Sequence, residues 1–537
     1  MPADCLSYKE TNYFTPLITD YLDRKEELKQ FYHRFPTLEN FKEQIEEKQA
    51  AFTKDKRETL VKALREQYSQ LEVSAQVSSN IDSLLQENTF TVTTGHQLNL
   101  FTGPLYFLYK IVSAINLATQ LKEEYSAYNF VPVYWMATED HDFAEINFFN
   151  LHGKKFQWNS EQAGAGNDAV GNLSTNGLEE VFTLFSAEIG GGKNAETLKE
   201  LFKRSYLEHD NLTDATRFLA NELFKEYGLV ILDGHDKDLK AEFIPYLEKE
   251  LTQQVSFRGA GPVAQKLDEL GYGVQVTPRE INLFYLDICV RERLIEQEER
   301  FFVNETDISW SKAEILQELH KNPEKFSPNV MTRPLYQEVI LPNLCYIGGG
   351  GELAYWFELK EVFKAVNVPF PILLLRNSVL IETSKQHEKR KKLDISQAEL
   401  FLKQHELINR KVRKISNIDI DFGPQKETLV QQFRKMYEIA EQTDKTFLNA
   451  VKAQEVKQLK GLDNLEKRLL KAQKRKLKEE VSRITQLQNE LFPHKSLQER
   501  HTNFSEMYLE YGERLIPTLI EKLNPLELQF KILSLGE

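Results

Sequence analysis

The sequence predicts an α/β protein: a parallel sheet covered by helices on both faces, followed by a long α-helical arm. Three observations carry this. Short, continuous apolar runs alternate with helical patterns through the first part of the chain, as strands buried on both faces require. These runs end in glycine or in clusters of polar residues. From about residue 383, glycine becomes scarce, and Lys, Glu, Gln and Leu dominate until Pro493. At 537 residues the chain is too long for one compact core. The expected organisation is a core over 1–382, a helical coiled-coil arm over 383–493, and a segment over 494–537 that packs back on the core.

Asp20 to Phe35 and Leu38 to Gln86 lack glycine and read as helices, separated by Pro36. Phe90 to Thr94 is the first core strand, running into Gly95-His96-Gln97. Gly103-Pro104 then opens an apolar helix from Leu105 to about Leu121, with proline in the first turn, where no donor is needed. Phe130 to Ala137 is the second strand and ends in Thr138-Glu139-Asp140-His141-Asp142. A helix from Asp214 to Tyr227 is stopped by Gly228 as a left-handed cap. Leu229 to Leu232 follows as a strand, ending in Asp233-Gly234-His235-Asp236. Leu344 to Ile347 runs into Gly348 to Gly351, with a helix from Glu352, and Pro371 to Leu375 ends at Arg376-Asn377-Ser378. Two insertions interrupt the pattern, at about 152–212 and 271–330. Within the second, residues 271–305 read as antiparallel.

In the arm, Ser396 with Glu399 forms a capping box, and Phe422-Gly423-Pro424 marks a turn. Gln425 to Leu491 would span about 100 Å as one helix, at 1.5 Å per residue, with Gly461 as the place to interrupt it. Leu470, Leu477, Ile484 and Leu491 stand seven apart, a coiled-coil spacing. Such a stripe serves either a hairpin within the chain or a dimer seam.

The 68 basic and 81 acidic residues give a net charge of −13. That argues against a nucleic-acid or membrane footprint spread over the surface. The basic run from Lys385 to Lys392 reads as a solvated helix face. Cys5, Cys289 and Cys345 lack metal-like spacing and suit a reducing, cytoplasmic setting without structural disulfides. Cys289 and Cys345 read as inert core residues. No secretory signal or membrane span is expected.

Ligands of open parallel sheets bind beyond the carboxyl ends of the strands, where these polar turns fall. Gly95-His96-Gln97 suits an anion near a helix start, with His96 stabilising charge. The bland alternative is a turn histidine bonded to a carbonyl. Glu139 to Asp142 offers a general base for an attacking amine; a divalent metal, or a helix cap with an ion pair, are the alternatives. Asp233 to Asp236 reads either as a turn with an aspartate cap or as a further polar turn facing the same pocket. Gly348 to Gly351 can cradle a phosphate or carboxylate, although it lacks the P-loop Lys-Ser/Thr and the dinucleotide spacing; close backbone packing is the alternative. Lys110, Arg333 and Arg376 are cations suited to carboxylates or phosphates, with a structural ion pair as the alternative for each.

Several segments resemble one family, the BshC proteins of bacillithiol biosynthesis. Gly95-His96-Gln97 with Thr102-Gly103-Pro104 and Tyr109-Lys110 is similar to its first core turn and helix. Pro132-Val133-Tyr134-Trp135, running into Glu139 to Asp142, is similar to a second signature. Arg333 to Glu338, Leu341-Pro342, Tyr346 to Gly349 and Glu352 to Trp356 resemble a third. Leu497 to Arg500 resembles the motif at which the arm returns. Two departures are Gly350, where the family often has proline, and His96, where glutamine is common.

The resemblance implies a Rossmann-like core of class I nucleotidyltransferase type, with inserted connecting segments and a coiled coil that pairs subunits into a homodimer. It implies addition of L-cysteine to glucosaminyl malate, with ATP as the energy source. On chemistry and resemblance together, His96, Asp140 and His141 are the catalytic candidates. Gly95, Gln97, Tyr109, Lys110, Glu139, Asp142, Arg333, Glu352 and Arg376 are expected to bind substrate, and Gly348, Gly349 and Gly351 nucleotide. No metal ligand set is firmly implied. A metal-assisted hydrolase using Glu139 to Asp142, and a ligand-sensing coiled-coil scaffold, are the competing readings.

Overall fold

The structure, a computed structural model, describes residues 4–160, 169–288 and 290–535. Cys289 and part of the first insertion therefore lie outside the described residues. The chain divides into two units: Met1–Leu380 with Ser496–Leu533, and Ile381–Lys495 with Ser534–Glu537.

The first unit is built on a parallel sheet of five strands: β1 (Thr89–His96), β2 (Asn129–Met136), β3 (Val230–Asp233), β4 (Asn343–Gly348) and β5 (Ile372–Leu375). Their order is β5-β4-β1-β2-β3, and every pairing is parallel. The chain enters at the centre, works outward to β3, then crosses back to place β4 beside β1. Chain direction across the sheet thus reverses between β1 and β4, which opens a crevice at their carboxyl ends. The strands read as unbroken apolar runs because helices cover both faces. Phe90, Val92, Ile347, Ile372 and Leu374 pack with Phe41 and Ile45, and with Ala114, Leu117 and Leu121 of helix α1 (Tyr106–Glu124).

The amino end of the sheet is closed by a polar network. Asn343 Oδ1 accepts from Thr93 Oγ1 at 2.9 Å, and Asn343 Nδ2 donates to Glu338 Oε1 at 2.6 Å. Lys48 Nζ reaches Glu338 Oε2 at 2.9 Å.

Several boundaries differ from the expected ones. Asp20 to Phe35 is not one helix: Pro16–Leu22 is helical, Glu26–Leu28 forms a single tight turn, and the rest is irregular. There Tyr21, Tyr32 and Phe35 pack ring against ring, so side-chain burial outweighs helix propensity. Leu38 to Gln86 resolves into Leu38–Ala51, Lys54–Gln67 and Ala75–Ser83. The second insertion forms an antiparallel sheet of Leu283–Asp287, Val290–Gln297, Arg300–Val303, Ser309–Ser311 and Phe326–Pro328. Its first strand begins at Leu283, later than residue 271. Helix α2 (Lys237–Gln253) follows β3, and helices α3 (Arg333–Ile340) and α4 (Gly350–Trp356) flank β4.

The second unit is helical. Gln425 to Leu491 is not continuous: Gly423–Ala440 ends in a turn, Asp444 caps Lys445–Lys476, and a kink at Leu477 precedes Lys478–Leu491. The first two of these helices form a hairpin, with Phe433, Ala440 and Val451 buried between them and Tyr437 Oη donating to Glu455 at 2.6 Å. The leucine stripe crosses the kink, and Gly461 lies inside an unbroken helix. Among the described residues, no helix is long and apolar enough to cross a membrane.

Candidate active site

A cleft of about 540 Å³ lies at the carboxyl ends of β1, β2, β3 and β4, roofed by residues of the inserted antiparallel sheet. Its floor is the reversal crevice. A Cβ on Gly95 would stand 3.3 Å from Tyr346 Oη, so glycine lets β1 and β4 close up here. Lys110 of α1 is buried. It donates to the Gly95 carbonyl at 2.6 Å and pairs with Glu352 Oε1, while Glu352 Oε2 accepts from Tyr346 Oη at 2.8 Å. Burial lowers the Lys110 pKa, and Glu352 works against that shift.

His96 closes β1. Its ring is 6% exposed, lies edge-on to Tyr106 at 5.3 Å, and leaves Nε2 without a hydrogen-bond partner among the described residues. Burial, then the charge of Lys110, hold its pKa well below the ordinary value, so the imidazole is neutral. Gln97 ties two carboxylates together, donating to Asp140 Oδ2 at 2.7 Å and Glu145 Oε2 at 3.0 Å.

The turn after β2 supplies a second charged group. Glu139 Oε1 lies 2.8 Å from His235 Nδ1 and 2.7 Å from Lys240 Nζ of α2, and Ser327 Oγ donates to Oε2 at 2.7 Å. Burial pushes the Glu139 carboxyl up, but Lys240 and His235 outweigh it and bring its pKa down to about 2. Burial likewise opposes charge on His235, yet Glu139 raises its pKa. A carboxylate thus fixes Nδ1 of an imidazole that lines the cleft, an arrangement that orients the ring and makes it more basic. Asp140 is opposed by burial but held well below its ordinary value by hydrogen bonds from His141 and Gln97 and by Arg291.

Two cations complete the walls. Arg333 of α3 donates to Gln337 Oε1 at 3.1 Å and Tyr355 Oη at 3.3 Å, and has no carboxylate within ion-pair distance among the described residues. Arg291 stacks on Phe284 at 3.9 Å and donates from Nε to the Glu139 carbonyl at 2.6 Å. Its Nη1 is buried without a partner among the described residues. Trp135 and Tyr336 meet edge to face at 5.5 Å behind Gly234. A Cβ there would collide with Trp135 at 2.5 Å, and Tyr336 Oη donates to the Gly234 carbonyl.

The cleft therefore gathers Gly95, His96, Gln97, Lys110, Glu139, Asp140, His141, Arg333 and Glu352. Other candidates are placed elsewhere. Tyr109 is buried in the core, away from the cleft lining. Asp142 caps the short helix Phe143–Ile146, accepting from Glu145 N at 3.3 Å. Arg376 is consumed by Glu499 at 2.8 Å and by the Asn377 carbonyl and Ser378 hydroxyl. Gly348, Gly349 and Gly351 do not line the cleft. A Cβ on Gly348 would meet Glu352 and Tyr346 at 3.0 Å, so that glycine serves close packing.

The sequence reasoning missed Tyr106 and Arg291 as site residues, and it marked the turn holding His235 without giving His235 a role. Tyr106 stands one helical turn before Lys110, a spacing that placed it on the same face. No local signal marked Arg291, whose place depends on how the insertion folds over the sheet. Among the described residues, no three His, Cys, Asp or Glu side chains are grouped to hold a metal ion.

Residues 1–377 match the family described as bacillithiol biosynthesis BshC, N-terminal Rossmann-like domain, and residues 379–535 match its C-terminal coiled-coil domain. Three curated relatives carry the name "Putative cysteine ligase BshC". That of Christiangramia forsetii is 66% identical, with all of both chains covered. That of Flavobacterium johnsoniae is 59% identical at the same coverage. That of Bacillus cereus is 26% identical over 94% of this chain and 95% of its own.

Proposed function

The chain belongs to the BshC family of bacillithiol biosynthesis, and on that premise we propose that it joins L-cysteine to glucosaminyl malate through an amide bond. The proposal includes ATP as energy source, a cytoplasmic setting, and a homodimer formed through the helical arm. The observation that carries the chemistry is the pair of arginines in the cleft, Arg333 and Arg291, neither of which has a carboxylate within ion-pair distance among the described residues. Two guanidinium groups without an ion-pair partner among the described residues, beside a neutral imidazole, suit an anionic substrate.

In the reaction, the amino nitrogen of the glucosamine ring attacks the carboxyl carbon of cysteine. A carbon–nitrogen bond forms, one carboxyl oxygen leaves, and the nitrogen gives up a proton. A free carboxylate is a poor electrophile, and ATP would supply the phosphoryl or adenylyl group with which that oxygen departs. The buried, unpartnered Arg291 Nη1 fits a polyanion of this kind, with Arg333 beside it.

The proton is best taken by His235. Its Nδ1 is held by Glu139 at 2.8 Å, and Glu139 raises its basicity. His96 and Asp140, whose pKa values are both lowered, are weaker bases and act on charge and position. Lys110, Glu352 and Tyr346 keep the crevice floor fixed. The homodimer reading is supported by apolar side chains left exposed on the arm hairpin, among them Ile439, Phe447, Val456 and Leu465.

Purified protein given L-cysteine, glucosaminyl malate and ATP should yield bacillithiol with consumption of one ATP per product. Absence of product under turnover conditions would refute the proposal. Deletion of the gene should abolish bacillithiol and accumulate glucosaminyl malate.

A further inference from the structure

A second cavity, of about 460 Å³, adjoins the first and shares two of its lining residues, Gln97 and Tyr106. Both residues face two ways. The Gln97 amide donates to Asp140 in the first cavity and to Glu145 in the second. The Tyr106 hydroxyl feels the charge of Glu352 from the first cavity, and of Arg500 and Glu145 from the second.

The second cavity is lined by opposite charges, Arg500 and Glu145, neither with an ion-pair partner among the described residues. Arg500 follows Glu499, which is buried and fixed by Arg376 at 2.8 Å and by the Val379 amide at 3.1 Å. Arg500 itself is exposed and has no carboxylate within ion-pair distance among the described residues. Glu145 is fixed through its backbone: its amide is capped by Asp142, and its carbonyl accepts from Asn99 Nδ2 at 3.2 Å. Its carboxylate has no cation within ion-pair distance among the described residues. On the same wall, Asn99 is 6% exposed and its Oδ1 has no hydrogen-bond partner among the described residues. Pro104, Phe148 and Phe149 supply an apolar floor.

A cation and an anion that line one cavity, with a spare acceptor and an apolar floor, match an α-amino acid zwitterion. We propose that this cavity is the cysteine subsite. Arg500 takes the carboxylate, Glu145 with Asn99 takes the ammonium, and the thiol-bearing side chain rests on the apolar floor. The carboxylate then lies by Tyr106 and Gln97, at the opening through which the amine in the first cavity reaches it. The inference rests on the ligase reading above, which it deepens by dividing the two substrates between two cavities.

The test is the effect of Arg500→Gln and Glu145→Gln, in the full-length chain, on the KM of each substrate. Loss of one charge-assisted contact is worth about 10- to 100-fold. Each variant should raise the KM for L-cysteine by that factor and leave the KM for glucosaminyl malate within about 3-fold, with an unchanged melting temperature. Cysteamine, which lacks the carboxylate, and 3-mercaptopropionate, which lacks the ammonium, should inhibit the wild type far more weakly than L-serine. Equal rises in both KM values, a rise for glucosaminyl malate alone, or no change in either would overturn the assignment.

Should the wild type make no bacillithiol, the ligase reading fails by itself. Calorimetric titration with L-cysteine alone then decides the subsite. Binding weakened by Arg500→Gln supports it, and absence of binding to the wild type refutes it.

Discussion

Two lysine–glutamate pairs stand at opposite ends of the same parallel sheet, and the chain finishes them differently. At the amino end, the Lys48 and Glu338 side chains are 1% and 0% exposed. Glu338 is further bonded by Gln337 and Asn343, so the group is closed on itself. At the carboxyl end, Lys110 is as deeply buried, but Glu352 is 27% exposed and borders the cleft. A buried pair adds little net stability, whereas an orphaned partner costs much. The closed pair is therefore a fixture of the fold, and the open one forms part of the cleft floor. The same contrast separates Arg376, spent on Glu499, from Arg333 and Arg291, which have no ion-pair partner among the described residues.

The contrast can be broken most sharply at the carboxyl end. His235→Asn should lower kcat by about 10²- to 10⁴-fold, the usual worth of a general base, with little change in melting temperature. Glu139→Gln removes the charge that raises the His235 pKa. The acid limb of the kcat profile should therefore move to lower pH, and a limb that stays in place would show that another group is the base.

At the amino end the expected loss is of stability. Lys48→Met should cost about 3–5 kcal/mol by leaving the Glu338 carboxylate buried and unpaired, measured by denaturant unfolding. Turnover per folded molecule should not change, and a paired Lys48→Met, Glu338→Leu variant should recover much of the loss. Lost turnover with normal stability would erase the distinction between the two ends.

Arg333→Gln should reverse that pattern. It is expected to lower kcat/KM by about 10- to 100-fold while the melting temperature holds.

The smallest effect concerns pH and the Glu139–His235 pair. Glu139 is depressed from 4.5 to about 2, so its contribution is present above pH 4.5 and is lost as pH falls toward 2. His235 is raised from 6.5, so its contribution is full below pH 6.5 and fades as pH rises through the folded value. The melting-temperature gap between wild type and Glu139→Gln should be widest between about pH 4.5 and 6.5, and should narrow on either side.

Much of the sheet was legible in the sequence, because strands covered on both faces read as unbroken apolar runs and their ends as polar turns. The turns at Gly95 and Glu139 could be placed at a site for the same reason. Arg376 shows where local reading stops. It looks like Arg333, a cation beside a core strand, and only a carboxylate 123 residues away settles which one is spent. Arg291 was hidden because an inserted sheet brings it over the core. The place of the turn in the arm was not legible, because helix propensity runs on through the point at which packing of Phe433 and Val451 folds the helix back, while Gly461, the residue expected to interrupt it, lies inside a helix.

The clasp between Arg376 and Glu499 also sets an order of events during synthesis. As β5 leaves the ribosome, Arg376 has its sheet position but no counter-charge, since the whole arm must be translated before Glu499 exists. Burying that guanidinium alone would be costly. Until residues 496–533 are present, that guanidinium lacks the carboxylate that lets it be buried at low cost. The arm is thus an excursion that begins and ends at one point: Val379 beside its exit donates to the returning Glu499 at 3.1 Å.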